Sequence, residues 1–178
     1  MINEDDGLDQ RFNLQGRLPA GWRPALSFSA NELASFNDNN LTLFNALSLM
    51  DMSHTTESED NSSLHADFVR LETKLGLMMS MLSRLMAQHQ LVPSLAQVTI
   101  ADRYARWHQD APWQVGDVGV LELYIDVTVA VPLQLPAKIN AEGEAIYEGL
   151  STACLNGLEK FLFRQHRRSI ADARSIRS

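Results

Sequence analysis

The chain holds one cysteine, Cys154, so no internal disulfide can form; this fits a reducing compartment. Long apolar runs are also missing. No stretch of about 18 apolar residues occurs, so no bilayer-spanning helix and no membrane insertion are expected. The opening Met1-Ile2-Asn3-Glu4-Asp5-Asp6 has neither a basic start nor an apolar core. No signal peptide is expected there, and the expected location is cytoplasmic. Positive charge is in deficit. The net charge of −7 argues against a general nucleic-acid binder.

Motifs that carry chemistry are scarce too. His54, His65, His89, His108 and His166 are scattered, with no pair at i,i+4 and no clustered carboxylates, so no metal site is expected. There is no Gly-rich phosphate loop, no Walker pattern and no Gly-x-Ser-x-Gly elbow. Cys154 falls on an apolar helical face with no histidine placed beside it, and reads as core rather than nucleophile. No catalytic residue and no enzymatic activity are expected.

What is present starts with a heptad seam. From about residue 62 to 89, Leu64, Phe68, Leu71, Leu75, Met78, Leu82, Leu85 and His89 follow a 4-3-4-3-4-3-4 spacing. With Phe68 at a, the a positions are Phe68, Leu75, Leu82 and His89, and the d positions are Leu64, Leu71, Met78 and Leu85. A 3.5-residue repeat keeps one stripe facing a partner helix over many turns. No proline falls within the stretch and Gly76 is its only glycine, so a helix of roughly 40 Å is permitted. Glu72 at e and Lys74 at g are charged, whereas Met79, Met81 and Met86 widen the apolar stripe. A wide stripe is covered better by several helices than by one. The competing reading is a bundle within one chain. His89 reads as a solvated layer at the seam's end.

With 178 residues, 45% hydrophobic and 21% charged, the chain has the composition of one globular domain with one core. Residues 1–11 carry Glu4, Asp5, Asp6 and Asp9 and are expected to be a disordered acidic tail. Phe12, Leu14 and Leu18 fit a short strand, with a turn over Pro19-Ala20-Gly21-Trp22-Arg23-Pro24. Ser29 and Glu32 form a capping-box pattern for a helix from Ala30 to about Met52, with Asn37-Asp38-Asn39-Asn40 as a candidate interruption. Residues 53–63 read as a solvated linker, and Pro93 closes the seam helix.

Beyond Pro93 the period becomes two. Val98 and Ile100, Ala105 and Trp107, Leu121 through Val129, and Leu133 through Ile139 alternate as antiparallel strands with one buried face. Gly116-Asp117 and Glu142-Gly143 supply turns, and residues 145–149 allow one more strand. Strands this short suggest a small barrel or sandwich. Ser151 or Thr152 caps a last helix with Leu155, Leu158, Phe161 and Leu162 on its apolar face. That helix is placed at about 151–168, ending in Arg164, His166, Arg167 and Arg168, with a basic tail over 169–178.

This order of parts resembles the atypical, tetrameric branch of the PilZ family, a bacterial receptor class for cyclic di-GMP. The matching features are Leu18-Pro19 with Trp22-Arg23-Pro24, the heptad helix, Val115-Gly116-Asp117 before a strand, and the run Phe163-Arg164-Gln165-His166-Arg167-Arg168. The resemblance implies an α+β fold: a small six-stranded antiparallel barrel, with the long heptad helix inserted after the first strand and a helix at the C-terminus. One domain would then span 12–168, with its helical insertion over about 30–92 and its sheet over about 96–150. It further implies a homotetramer, with Leu64, Phe68, Leu71, Leu75, Met78, Leu82 and Leu85 as the interface.

Family members hold the dinucleotide with Arg-x-x-x-Arg and Asp/Asn-x-Ser-x-x-Gly. Paired guanidiniums meet phosphates and stack on guanines, and small residues admit the ligand to the backbone. Here Arg17 and Arg23 are six apart, and Thr99, Ala101 and Tyr104 replace the acidic or amide residue, the serine and the glycine. A tyrosine in place of glycine blocks close approach. The one Arg-x-x-x-Arg, Arg164 to Arg168, reads as helix-end cations. The expectation is a non-catalytic adaptor, self-associating and acting through an unidentified protein partner, with no cofactor. The alternative is a cyclic di-GMP receptor with a non-standard pocket, where Arg103 and Arg106 meet phosphates and Trp107 stacks on a base.

Overall fold

The computed structural model describes residues 12–52, 70–71, 73–78, 81, 85, 93–126, 129 and 131–175. The acidic tail 1–11, the linker 53–63, and Leu64, Phe68, Leu82 and His89 of the seam lie outside the described residues. Six strands form a closed antiparallel barrel: β1 (Leu14–Ala25), β2 (Leu95–Ile100), β3 (Tyr104–Trp107), β4 (Val118–Leu123), β5 (Leu133–Ala141) and β6 (Glu144–Tyr147). Their order around the barrel is β1-β2-β3-β6-β5-β4. Helix α1 (Ala30–Met52) follows β1, and α2 (Thr152–Ser175) closes the chain. In the seam, Arg70, Leu71, residues 73–78, Met81 and Leu85 are helical. The expected six-stranded α+β barrel, with helices inserted after the first strand, is the architecture observed.

β1 corrects one expectation. Residues 19–24 do not turn; they continue a 12-residue strand. Leu14–Pro19 pair with β2, and Ala20–Ala25 pair with β4. Each half is therefore laddered on one side only, and prolines are tolerated where an N–H has no ladder partner to reach. The partner switch closes the barrel. It also ends β4 at Leu123, short of the alternation that continues to Val129. Leu123 is the last residue paired with both β1 and β5, and Tyr124 N still donates to Pro19 O at 3.0 Å.

The asparagine run does not break α1. Asn40 is wholly buried. Its Nδ2 donates to Gln134 O at 2.6 Å, and its Oδ1 accepts from Gln134 N at 2.9 Å. The β6 ladder reaches β5 only from Ala137 onward, so Asn40 supplies the partner that this edge lacks. Asn37 bonds Gly149 O and Ser151 N, tying α1 to the start of α2. Asparagines that would weaken a solvated helix here fasten it to the barrel.

Both helices are capped as expected. Ser29 and Glu32 exchange bonds, with Ser29 N donating to Glu32 Oε2 at 2.8 Å and Glu32 N to Ser29 Oγ at 3.3 Å. The hydroxyl's own bond to that carboxylate, first, holds the Glu32 pKa below its usual value. Cys154 N donates to Ser151 Oγ at 3.2 Å. Past its cap, α2 runs on to Ser175, beyond Arg168 where the periodicity placed its end. The core is filled by Val98, Ile100, Leu121, Leu123, Leu133, Leu135 and Ile139 of the barrel. Leu43, Phe44 and Leu47 of α1 join it, with Cys154, Leu158, Phe161 and Leu162 of α2. The two expected turns form at Gly116 and Gly143, both at positive φ. A Cβ on Gly143 would lie 2.6 Å from Trp107 O.

Candidate functional site

Around the β2–β3 turn, the chain's own groups bond to one another. Ala101 is buried, and its N donates to Tyr104 O at 2.9 Å. The same carbonyl accepts the Tyr147 hydroxyl at 2.7 Å. Burial of that hydroxyl, then the negative charge of Asp102 and the neighbouring Tyr104, push the Tyr147 pKa well above the usual phenol value. The Arg106 guanidinium lies over the Tyr104 ring at 5.5 Å. Thr99 Oγ1 is 2.7 Å from His108 Nε2. Arg17 and Arg23 sit on different halves of β1, about 20 Å apart along an extended strand. Arg23 reaches Glu122 at 3.4 Å and lies over Phe36. The two guanidiniums therefore do not converge on one phosphate pair.

Of the three nucleotide candidates, Arg106 and Trp107 line one cleft and Arg103 lies outside it. Arg103 lies in the β2–β3 turn, with its side chain 74% exposed and 4.0 Å from Asp102. Arg106 and Trp107 are at the other end of β3. Arg106 forms an ion pair with Glu144 at 2.9 Å. Trp107, on the opposite face of the strand, packs edge-on against Trp113 at 5.3 Å. Trp22 meets Trp113 from the other side at 5.1 Å, so the three tryptophans close one end of the core.

Two open clefts flank that end. One, of about 530 Å³, includes Arg17, Gln97, Trp107, Gln109 and Asp110 in its lining. The other, of about 510 Å³, includes Arg106, Trp107, His108, Trp113 and Glu142. They share Trp107, Gln109 and Asp110, and Asp110 adopts φ 47°. Sequence reasoning gave Gln109 and Asp110 no role. An Asp two residues before Pro112 is a turn signal, but it does not reveal a cleft wall.

Among the described residues, those of the seam expose a row of large apolar side chains. Leu71 is 54% exposed, Leu75 53%, Met78 67% and Leu85 54%. Leu77 at c and Met81 at g are equally open, which extends the stripe past a and d. Leu77 was missed by the heptad reading because c positions ordinarily face water. Among the described residues, no group of three His, Cys, Asp or Glu side chains could hold a metal ion, and no helix is long and apolar enough to cross a membrane. Cys154 is buried; desolvation raises its thiol pKa, opposed by a hydrogen bond with Asn40.

The family described as atypical PilZ domain, cyclic di-GMP receptor, matches residues 44–175. The chain belongs to the atypical PilZ family. No curated protein matches it. Among solved structures, this PilZ chain is similar to a pathogenic protein from Xanthomonas campestris, described as a new tetrameric PilZ domain self-assembled via an unusual helical bundle. The two share 25% identity with a TM-score of 0.71 over 92% of each chain. The family is a receptor class, and no catalytic family was matched.

Proposed function

We propose that this PilZ protein is a non-catalytic signalling adaptor in a cyclic di-GMP-related pathway. It self-associates through the heptad helix into a tetramer and presents its barrels to a protein partner. The observation that carries this reading is the open seam: Leu71, Leu75, Met78 and Leu85 recur at 4-3-7 spacing and are each more than half exposed in the single chain. Covering the exposed half of each side chain is worth on the order of 1 kcal/mol per residue. Repeated along several helices, that is enough to hold an assembly. The tetrameric helical bundle of the Xanthomonas campestris protein supports the same use of the helix.

Leu75→Asp combined with Met78→Asp places charges within the seam. Mass by light scattering should fall to that of one chain, with the barrel's circular dichroism retained. An unchanged mass would remove the seam from the interface.

A second reading, a cyclic di-GMP receptor with a non-standard pocket, is favoured by the clefts beside Arg106 and Trp107. It predicts that Arg106→Ala weakens binding of the dinucleotide at least tenfold (about 1.4 kcal/mol). Arg103, outside both clefts, should then matter little.

A further inference from the structure

Phe12 is the first described residue, and it is not loose. Its ring packs edge-on against Phe163 at 4.8 Å and against His166 at 5.4 Å, both on α2. The chain thus leaves residues 1–11 at a fixed point on that helix. The helix around this point is basic. Lys160, Arg167 and Arg168 are exposed within five residues of Phe163, with Arg174 a little further on, whereas Arg164 turns to α1 and donates to Ser48 Oγ at 2.7 Å. Phe163 is 40% exposed and Ile170 41%, so apolar surface lies open among the cations. The Arg167 guanidinium lies over the Phe163 ring at 5.9 Å.

The eleven residues that precede Phe12 are of opposite sign. Glu4, Asp5, Asp6 and Asp9 outweigh Arg11. Reach is sufficient. Asp9 lies within about 10 Å of Phe12 and Glu4 within about 28 Å, at roughly 3.5 Å per residue. Phe163 to Arg174 spans only about 16 Å of helix. Direction follows from charge as well. Phe12 is bordered on one side by Asp102 and Glu159, which line a shallow depression with it and repel carboxylates. The Arg167–Ile170 side attracts them.

We propose that the exposed face of α2 from Lys160 to Ile170 is a docking surface for an acidic segment, and that the chain's own residues 1–11 occupy it. Phe12 is the anchor, and the cations with Phe163 and Ile170 receive the tail. A partner that uses this face must displace the tail, so it should itself be acidic and carry an apolar residue. This inference is independent of how the chains assemble.

Carbodiimide coupling of the full-length protein tests it, because an amide forms only where a carboxylate meets an amine. The lysines are Lys74, Lys138 and Lys160. Mass spectrometry should find Glu4, Asp5, Asp6 or Asp9 joined to Lys160, with the yield falling steeply at about 0.5 M salt. Tail links to Lys138 as frequent as those to Lys160, or none to Lys160, would overturn the proposal.

A second measurement needs no cross-link. A fluorescent peptide of residues 1–11 is titrated into wild type and into E4Q/D5N/D6N/D9N. A tethered tail competes at an effective concentration of about a millimolar. The neutralised variant should therefore bind the peptide about tenfold more tightly, and R167E added to it should abolish binding. Equal affinity in wild type and variant would show that the tail leaves the face open.

Discussion

Replacing Asn40 by leucine removes the two bonds that fasten α1 to the unladdered edge of β5. The side chain is wholly buried in the wild type and holds Gln134 O at 2.6 Å and Gln134 N at 2.9 Å. Leucine is close in size, so little of the effect should come from a cavity. It leaves one backbone donor and one acceptor buried without partners, at about 1–3 kcal/mol each. Leucine is also the better helix former and more apolar, and this recovers part of the loss. A net destabilisation of about 3 kcal/mol is expected. For a chain of this length that lowers Tm by roughly 6–12 °C. Thermal unfolding should be followed by circular dichroism at matched protein concentration, because association adds a mass-action term. A fall of less than about 2 °C would mean the Gln134 groups find other partners. The account of why the asparagine run does not break α1 would then fail.

Gly143→Ala should cost about 2 kcal/mol in urea unfolding, because φ is +74° there and a Cβ would press on Trp107 O. A neutral result would refute that strain. Tyr147 has a folded pKa raised well above the ordinary phenol value. Its contribution is therefore complete below the unfolded pKa of about 10 and is lost as pH rises through the folded one. The urea midpoint should fall above about pH 10, less steeply in Tyr147→Phe. Identical slopes would remove Tyr147 from the effect. Cys154, with its thiol buried and its pKa raised, should react with Ellman's reagent at least about a hundredfold more slowly in the native protein than in urea. Rapid native labelling would contradict its place in the core.

The fold was readable where local pattern and tertiary role agree. The Ser29–Glu32 cap, the Ser151 cap, the turns at Gly116 and Gly143, and the alternation along β2, β4 and β5 all depend on neighbours in sequence. β1 was not readable beyond Leu18. Prolines at 19 and 24 signal a turn, and only the switch of partner from β2 to β4 makes them acceptable in a strand. Asn37 and Asn40 misled for the same reason, since their bonds go to residues about a hundred positions away. At the candidate site, the sequence shows Thr99, Ala101 and Tyr104 where the resemblance would put the dinucleotide motif. The separation of Arg103 from Arg106 and Trp107 was not visible, because neighbours along a strand diverge onto opposite faces and ends. The clefts at Gln109 and Asp110 depend on how the β3 end meets the loop carrying Trp113, which no local signal encodes.

Calorimetric titration of the full-length protein with cyclic di-GMP bears most directly on whether this PilZ chain is an adaptor or a receptor. The account predicts no heat and no thermal shift up to high micromolar ligand, because Arg17 and Arg23 lie on different halves of β1 and do not converge. Binding at micromolar affinity or tighter would contradict it, and would move the ligand to the clefts beside Trp107.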